Sequence, residues 1–403
     1  MARSHSLDNL RTYLTVVVLL HHTSLPYGGI GSWSYKSSSC SYPPTSSITI
    51  ASFNALNQTF FMALFFLLSG YFSALSSRKR SRKVFLKDKW KRLAVPTLLY
   101  SFLGSALVRA ILAGVRDGKT AKEVLGVFWK GMKSVRGVNG PVWYCATLLV
   151  FDVLYTLLQP GHFGSDLGVE ATAVREPLIA KNKNGRMVST THVLLALATT
   201  SAASFFIRIY YPIGTTLWPL SLNLGYLPQY ALFYVHGVRT ARTLNTELHC
   251  SFSRGTLTVL VLIAIGVTAF GSGFAYRYYD LKTPGNLAAM MNLSMGSLTP
   301  IASIYALWNE VTGAAISAAL LLIFNSKFES KWSVYGLHLA RYSYSAFLTH
   351  ALIVVFLQSL ADSWCAESVL KTALLGTIAV VGSWGSGVGL VNVVEGLGCR
   401  GYI

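Results

Sequence analysis

Apolar residues gather into runs of membrane-spanning length from one end of the chain to the other, separated by short polar segments. The runs cover 8–25, 52–75, 93–115, 141–159, 192–211, 222–239, 255–275, 299–325, 341–361 and 369–391. A hydrocarbon core about 30 Å thick needs roughly 20 apolar residues in helix to cross it. A helix satisfies its own backbone polar groups in lipid, whereas an open strand or loop does not. The pattern therefore predicts an all-α, polytopic membrane protein with about ten transmembrane helices. The stretch 284–300 ("PGNLAAMMNLSMGSLTP") leaves two readings, a re-entrant piece or an extra span. Neither an internal repeat nor a long low-complexity segment divides the chain, so 1–403 reads as a single domain. The first run lacks the small-residue site of a cleavable signal and is expected to be a retained helix.

Composition narrows the class further. At 403 residues the chain has room for two or three soluble domains, but only 12% of its residues are charged and its mean hydropathy is +0.47. A net charge of +19 would suggest nucleic acid in a soluble protein. In a membrane protein, cationic loops set orientation and meet anionic headgroups, so the bilayer is the expected partner and nucleic acid is not. The densest basic cluster, "RKRSRKVFLKDKWKR" (78–92), lies between the second and third runs and should face the cytoplasm. Both termini and the basic loops 239–254 and 327–341 then fall on the same side, and the Ser/Pro-rich loop 26–51 on the other. Residues 116–136 carry six basic residues yet land outside, either as an amphipathic surface helix or because the span count there is off. Cys40, Cys145, Cys250, Cys365 and Cys399 contain no CxxC pair, so no metal site is expected from them. Cys40 and Cys365 fall on one side, which leaves a disulfide between them open.

The first run, "LDNLRTYLTVVVLLHHTSLPY" (7–27), is unusual in holding Asp8, Arg11, His21 and His22. At 100° per residue, Arg11 and His22 lie within about 20° of one face and about 16 Å apart along the axis, whereas His21 points about 80° away. Asp8 sits one turn from Arg11 on much the same face. A charge near the bilayer centre costs at least about 2.5 kcal/mol, so such residues usually face a cavity or a partner. Snorkelling would also account for Arg11 at a helix end. The near-neutral ordinary pKa of histidine suits His22 to general-base work. Asp152 and Glu310, each inside a run, are carboxylates of a kind usually paired, and each is a candidate partner for Arg11, His22 or His350, with the pairs left open.

These residues and several later segments resemble the acyltransferase-3 family of integral membrane proteins. "LDNLRTYLTVVVLLHH" is similar to the family's first helix, with Arg11 and His22 at its Arg-x10-His spacing. "FFLLSGYF" (65–72), "KDKWKRLAVP" (87–96), "GPVWYCATLLVFDVLY" (140–155) and "RYSYSAFLTHALIV" (341–354) follow in the family's order. "YALWNEVTGAAISAALLLIF" (305–324) resembles the subgroup that includes bacterial glucan-succinylating proteins and many fungal homologues. The resemblance covers nearly the whole chain. It implies transfer of an acyl group, usually from acyl-coenzyme A as co-substrate, to a hydroxyl of a small molecule, with no resident cofactor.

By that resemblance His22 is the base, although the doubled histidine leaves His21 open. Arg11, with Asp8, orients the site or stabilises charge developing on the acyl oxygen. Lys87, Lys89, Lys91 and Arg92 lie where the phosphates of a donor need cations. Trp143, Tyr144, Asp152 and Glu310 are candidates for the acceptor site, with interfacial anchoring an equal account of the two aromatics. Ser69 and Gly70 read as helix-packing residues rather than as an acyl carrier. Two other functions fit a polar stripe in a membrane helix. A transporter or acyl exporter would often show inverted repeats and broken helices in matching halves, which are not found. A membrane cyclase of terpene type would use Asp152 or Glu310 as proton donor.

Overall fold

The computed structural model of the chain describes residues 4–134, 137–164, 187–242, 247–281, 283, 285–399 and 401–402. Val135 and Arg136 of the basic segment 116–136, and residues 243–246 of the basic loop 239–254, lie outside the described residues. Each predicted run is a helix. The first is α1 (His5–Ser24), followed by α2 (Ile48–Ser77). The third begins early: α3 (Arg82–Lys89) and α4 (Val95–Ile111) are fused through a π turn at Trp90–Ala94 into one rod, Arg82–Arg116. Then come α5 (Ala121–Lys133), α6 (Val142–Leu158), α7 (Thr190–Tyr210), α8 (Leu227–Arg242) and α9 (Arg254–Tyr278). A short α10 (Asn286–Met295) precedes α11 (Pro300–Lys327), α12 (Leu339–Leu360) and α13 (Ser368–Gly396).

Among the described residues, seven helices are long and apolar enough to cross a membrane: α2, the α3–α4 rod, α7, α9, α11, α12 and α13. The other three predicted spans fall short for visible reasons. Helix α1 carries Asp8, Arg11, His21 and His22; α6 has 17 residues; α8 has 16 and ends on Arg239 and Arg242. The run at 222–239 also starts too early, because Leu222 and Asn223 form β2, which pairs with β1 (Thr216–Leu217) in a two-stranded hairpin ahead of α8. Of the stretch 284–300, Pro284 lies outside the described residues and Asn286–Met295 form a ten-residue helix, too short to span.

Contacts between helix ends sort the bundle into two faces. At one, Asn9 donates to the carbonyls of Phe328 and Ser330, Arg242 donates to Ser77, and Arg341 pairs with Glu395. This termini face also carries the 78–92 cluster. At the opposite face Cys40 is disulfide-bonded to Cys365, Val138 donates to Pro219, and Arg116 donates to Lys36. Helix α5 lies at this opposite face and resolves the misplaced charges of 116–136. It is a 13-residue amphipathic helix with a Thr120–Glu123 capping box, packed on α4 where Gly131 meets Ala106.

The main apolar core runs through α1, α2, α6, α8 and α12 and includes Leu14, Phe61, Phe66, Leu148, Tyr230 and Leu348. Helices α2 and α8 cross at backbone contact. A Cβ on Gly70 would stand 2.2 Å from the Tyr234 carbonyl oxygen, and one on Gly237 2.2 Å from that of Leu67. The packing role expected of Gly70 is thus visible in the crossing.

Candidate active site

The polar face of α1 is flanked by α2, α6 and α12. Its outermost member, half-buried His22, stacks on Trp33 of the 26–47 loop, ring centroids 4.5 Å apart. His22 Nδ1 lies 3.0 Å from the Val18 carbonyl and 3.3 Å from His350 Nε2. His350 Nδ1 lies 2.6 Å from the Phe347 carbonyl. A carbonyl oxygen only accepts, so each Nδ1 carries the proton in the neutral ring. His350 Nε2 is then a lone pair facing the His22 Nδ1 proton, which it shares with Val18. The same reasoning leaves the lone pair of His22 on Nε2. His21 meets the His22 ring edge-on, centroids 5.6 Å apart, but is buried against Phe61, with Nδ1 3.4 Å from Asn54 Nδ2.

Trp33 and Gln358 complete this end. The indole donates to Gln358 Oε1 at 2.8 Å, and Gln358 Nε2 donates to the Thr23 carbonyl at 3.1 Å. No spacing signal pointed to either residue, because Trp33 reaches the site from a loop. That loop is tied down by the disulfide and by Asp362, which accepts from the hydroxyls of Tyr35, Ser38 and Ser39, each at 2.6 Å, and from the Ser38 amide. Burial opposes ionisation of Asp362, but these bonds outweigh it and hold its carboxyl well below the usual range. On the far side of Trp33 a cavity of about 330 Å3 is lined by Trp33, Ser34, Tyr100, Arg109, Asn139 and Ala351, and neither His22 nor His350 lines it.

Toward the termini face a column of polar groups continues between the same helices. Tyr144 shares a 2.7 Å hydrogen bond with Ser69, and its ring lies 5.9 Å from Phe347. Cys145 Sγ is 3.6 Å from the Tyr344 hydroxyl, which donates to the Arg92 carbonyl at 2.6 Å. Arg11 is exposed, 5.9 Å from the Phe72 ring centroid. Arg11 and Arg92 thus flank one end of the column, and His22 and His350 the other.

The remaining predicted residues divide. Lys87 and Arg92 are exposed, and Lys91 lies 5.5 Å from the Tyr402 ring centroid. Lys89 does not join them: it pairs with Asp152 at 2.8 Å and donates to Ser73. Asp152, fully buried, also accepts from Tyr234. Of the partners left open for Asp152, none of the candidates Arg11, His22 and His350 is the one found: its cation is Lys89, which the early start of α3 brings over α6. Glu310 is buried between α7, α8 and α11, accepting from Ser204 at 3.1 Å and Asn309 at 3.3 Å, away from either histidine. Trp143 packs on Tyr230 and Phe66. Asp8 lies with His5 and His338.

A bundle with seven helices long and apolar enough to cross a membrane, among the described residues, describes a multi-pass membrane protein. The chain belongs to the acyltransferase-3 family: the family model described as an acyltransferase domain matches residues 4–388. This supports membrane acyltransferase activity in general and implies an acyl donor and a hydroxyl acceptor. No curated protein and no solved structure matches the chain.

Proposed function

We propose that the protein transfers an acyl group from acyl-coenzyme A to a hydroxyl of a small molecule, with His22 as general base. The observation that carries this reading is the placement of His22 Nδ1 against the Val18 carbonyl and His350 Nε2, from which the proton is assigned to Nδ1 and the lone pair to Nε2. A hydroxyl is a weak nucleophile until its proton is removed as it attacks. In the proposed step the acceptor oxygen adds to the thioester carbonyl and its proton passes to His22 Nε2. Collapse of the tetrahedral intermediate breaks the C–S bond, and the departing thiolate takes the proton back. Charge forming at His22 is spread through Nδ1–H to His350 Nε2.

Arg11 sits about 16 Å along the helix from His22, too far to touch the same oxygen. It is assigned instead, with Arg92, Lys87 and Lys91, to the donor's phosphates at the termini face, and Lys89 is withdrawn from that set. The cavity beside Trp33 is assigned to the acceptor, reached from the opposite face. The likeness of 305–324 to the glucan-succinylating and fungal subgroup favours a small-molecule acceptor such as a natural-product intermediate. The basic cluster beside the termini, with the disulfide at the opposite face, favours cytoplasmic termini.

The test uses purified full-length protein, radiolabelled acyl-coenzyme A and a hydroxylated acceptor. Wild type is expected to form the acylated product, and His22→Ala to lose at least about a hundredfold in rate while remaining inserted. Full activity in His22→Ala overturns the assignment. Product formed from the acceptor without any donor overturns acyl transfer in favour of a cyclase.

A further inference from the structure

Three side chains of metal-ligating type converge at the termini face, outside the column described above. His5 and Asp8 lie one turn apart on α1, and His338 is the residue before α12. One donor atom from each lies within 4.8 Å of the others, and all three residues are partly buried. The two imidazole centroids are 6.3 Å apart, and His5 Nδ1 is buried without a hydrogen-bond partner among the described residues.

The backbone that presents them is held on both sides. Asn9, next to Asp8, donates to Phe328 and Ser330 and accepts from the Trp332 amide. His338 closes a two-stranded hairpin, β3 (Ser333–Val334) against β4 (Leu337–His338), through its pairing with Ser333. The turn uses Tyr335 and Gly336 at positive φ, the pattern that joins two short antiparallel strands tightly. The first turn of α1 and the connection between α11 and α12 are thereby set facing each other before any ligand arrives.

We propose that His5, Asp8 and His338 form a binding site for a divalent transition ion of the zinc class, which clamps the start of α1 to the hairpin leading into α12. Two imidazoles and one carboxylate select borderline ions such as Zn2+, whereas Ca2+ and Mg2+ take oxygen ligands. With Zn–N and Zn–O bonds of about 2.0–2.2 Å, tetrahedral donors stand roughly 3.3 Å apart, so the site contracts by side-chain rotation as the ion enters. Two rings sharing one ion have centroids about 5–6 Å apart, just inside the present separation. Three protein ligands leave a fourth position for water. Asp8 at the first turn of α1 is also well placed electrostatically, since the helix N-terminus favours a carboxylate. This role for Asp8 is separate from the acyl-transfer reading and does not rest on it.

The experiment uses the full chain, purified in detergent with an affinity tag that contains no histidine, stripped with a chelator and equilibrated with Zn2+ alone. Wild type is expected to retain one Zn2+ per chain and to gain thermal stability on adding it. His5→Gln and His338→Gln are each expected to bind at least about tenfold more weakly and to lose the Zn2+-induced shift. Should a histidine variant fail to purify as a single species, Asp8→Asn is read in its place by the same two measurements. Co2+ in the wild-type site is expected to give the visible absorption of a low-coordinate ion. No stoichiometric Zn2+ in wild type, or Zn2+ binding that all the variants keep, overturns the site.

Discussion

At the scale of single residues, what sets His22 apart from His21 is not its burial but where its proton is held. Both rings are on one helix in adjacent positions, yet only His22 lies within hydrogen-bond distance of another imidazole, that of His350. Val18 and His350 hold its Nδ1 proton, and the stack with Trp33 fixes the ring plane. His350 takes the place an acceptor must occupy if His22 is to become charged in a low-dielectric interior. A hydrogen bond to a charged group is worth about 1.5–3 kcal/mol, which corresponds to roughly tenfold to a hundredfold in rate. His350→Ala is therefore expected to lower kcat by that factor and to leave KM for acyl-coenzyme A unchanged. His350→Gln, whose amide oxygen still accepts, is expected to recover part of the loss. Steady-state kinetics on both variants checks this, and a changed KM with an unchanged kcat would place His350 on the donor side instead.

Elements were legible in the sequence where lipid leaves the chain no choice. A run of some 20 apolar residues has to be a helix, and each predicted run is one. What sequence could not supply was the register between helices. The Lys89–Asp152 pair needs α3 to begin before the apolar run and to lean over α6, and nothing in the spacing of either residue encodes that. Trp33 and Gln358 escaped for the same reason, since a loop places one against the other. The glycine signal was partly readable: "LSGYF" suggested close packing, but Gly237 as the reciprocal contact did not stand out. Gly70→Ala puts a methyl against the Tyr234 backbone, which cannot rotate away. Overpacking of this kind costs about 1–3 kcal/mol. A lowered unfolding midpoint is expected in detergent, and an unchanged midpoint would mean that α2 and α8 can separate at little cost.

The loop 26–47 belongs to the same scale, because it is an irregular element held by one carboxylate as well as by the disulfide. Asp362 has its pKa depressed in the folded protein, since four donors favour its charged form over the opposing effect of burial. A depressed pKa contributes stability that is complete above the ordinary carboxylate value, near 4. That stability is lost as pH falls through the lower folded value. Heating scans are thus expected to give a flat midpoint from pH 8 to about pH 5 and a decline below about pH 4. Asp362→Asn should start lower and show a weaker acid decline. An equally steep decline in that variant would assign the acid sensitivity to other groups.

For the whole molecule, the contacts fix which ends of the helices lie together, and two independent signals then favour the proposed orientation of the bundle. The 78–92 cluster shares a face with both termini, and cationic loops stay on the cytoplasmic side. The Cys40–Cys365 bond joins residues 325 apart in sequence at the other face, and such bonds persist in oxidising compartments. In that orientation Trp33 and the cavity it lines open away from the cytoplasm while Arg11 and Arg92 face it. The donor and the acceptor would then approach from opposite sides. Exposed Cys399, a free thiol near the C-terminus, reports the termini face. In sealed vesicles with the cytoplasmic surface outward, a membrane-impermeant maleimide is expected to label Cys399 directly. Cys40 and Cys365 should label only after the vesicles are both permeabilised and reduced, as read by mass mapping of the modified peptides. Direct labelling of the reduced Cys40 in sealed vesicles, with Cys399 protected, would invert the bundle. It would also put the proposed acceptor cavity on the cytoplasmic side, forcing donor and acceptor to exchange ends.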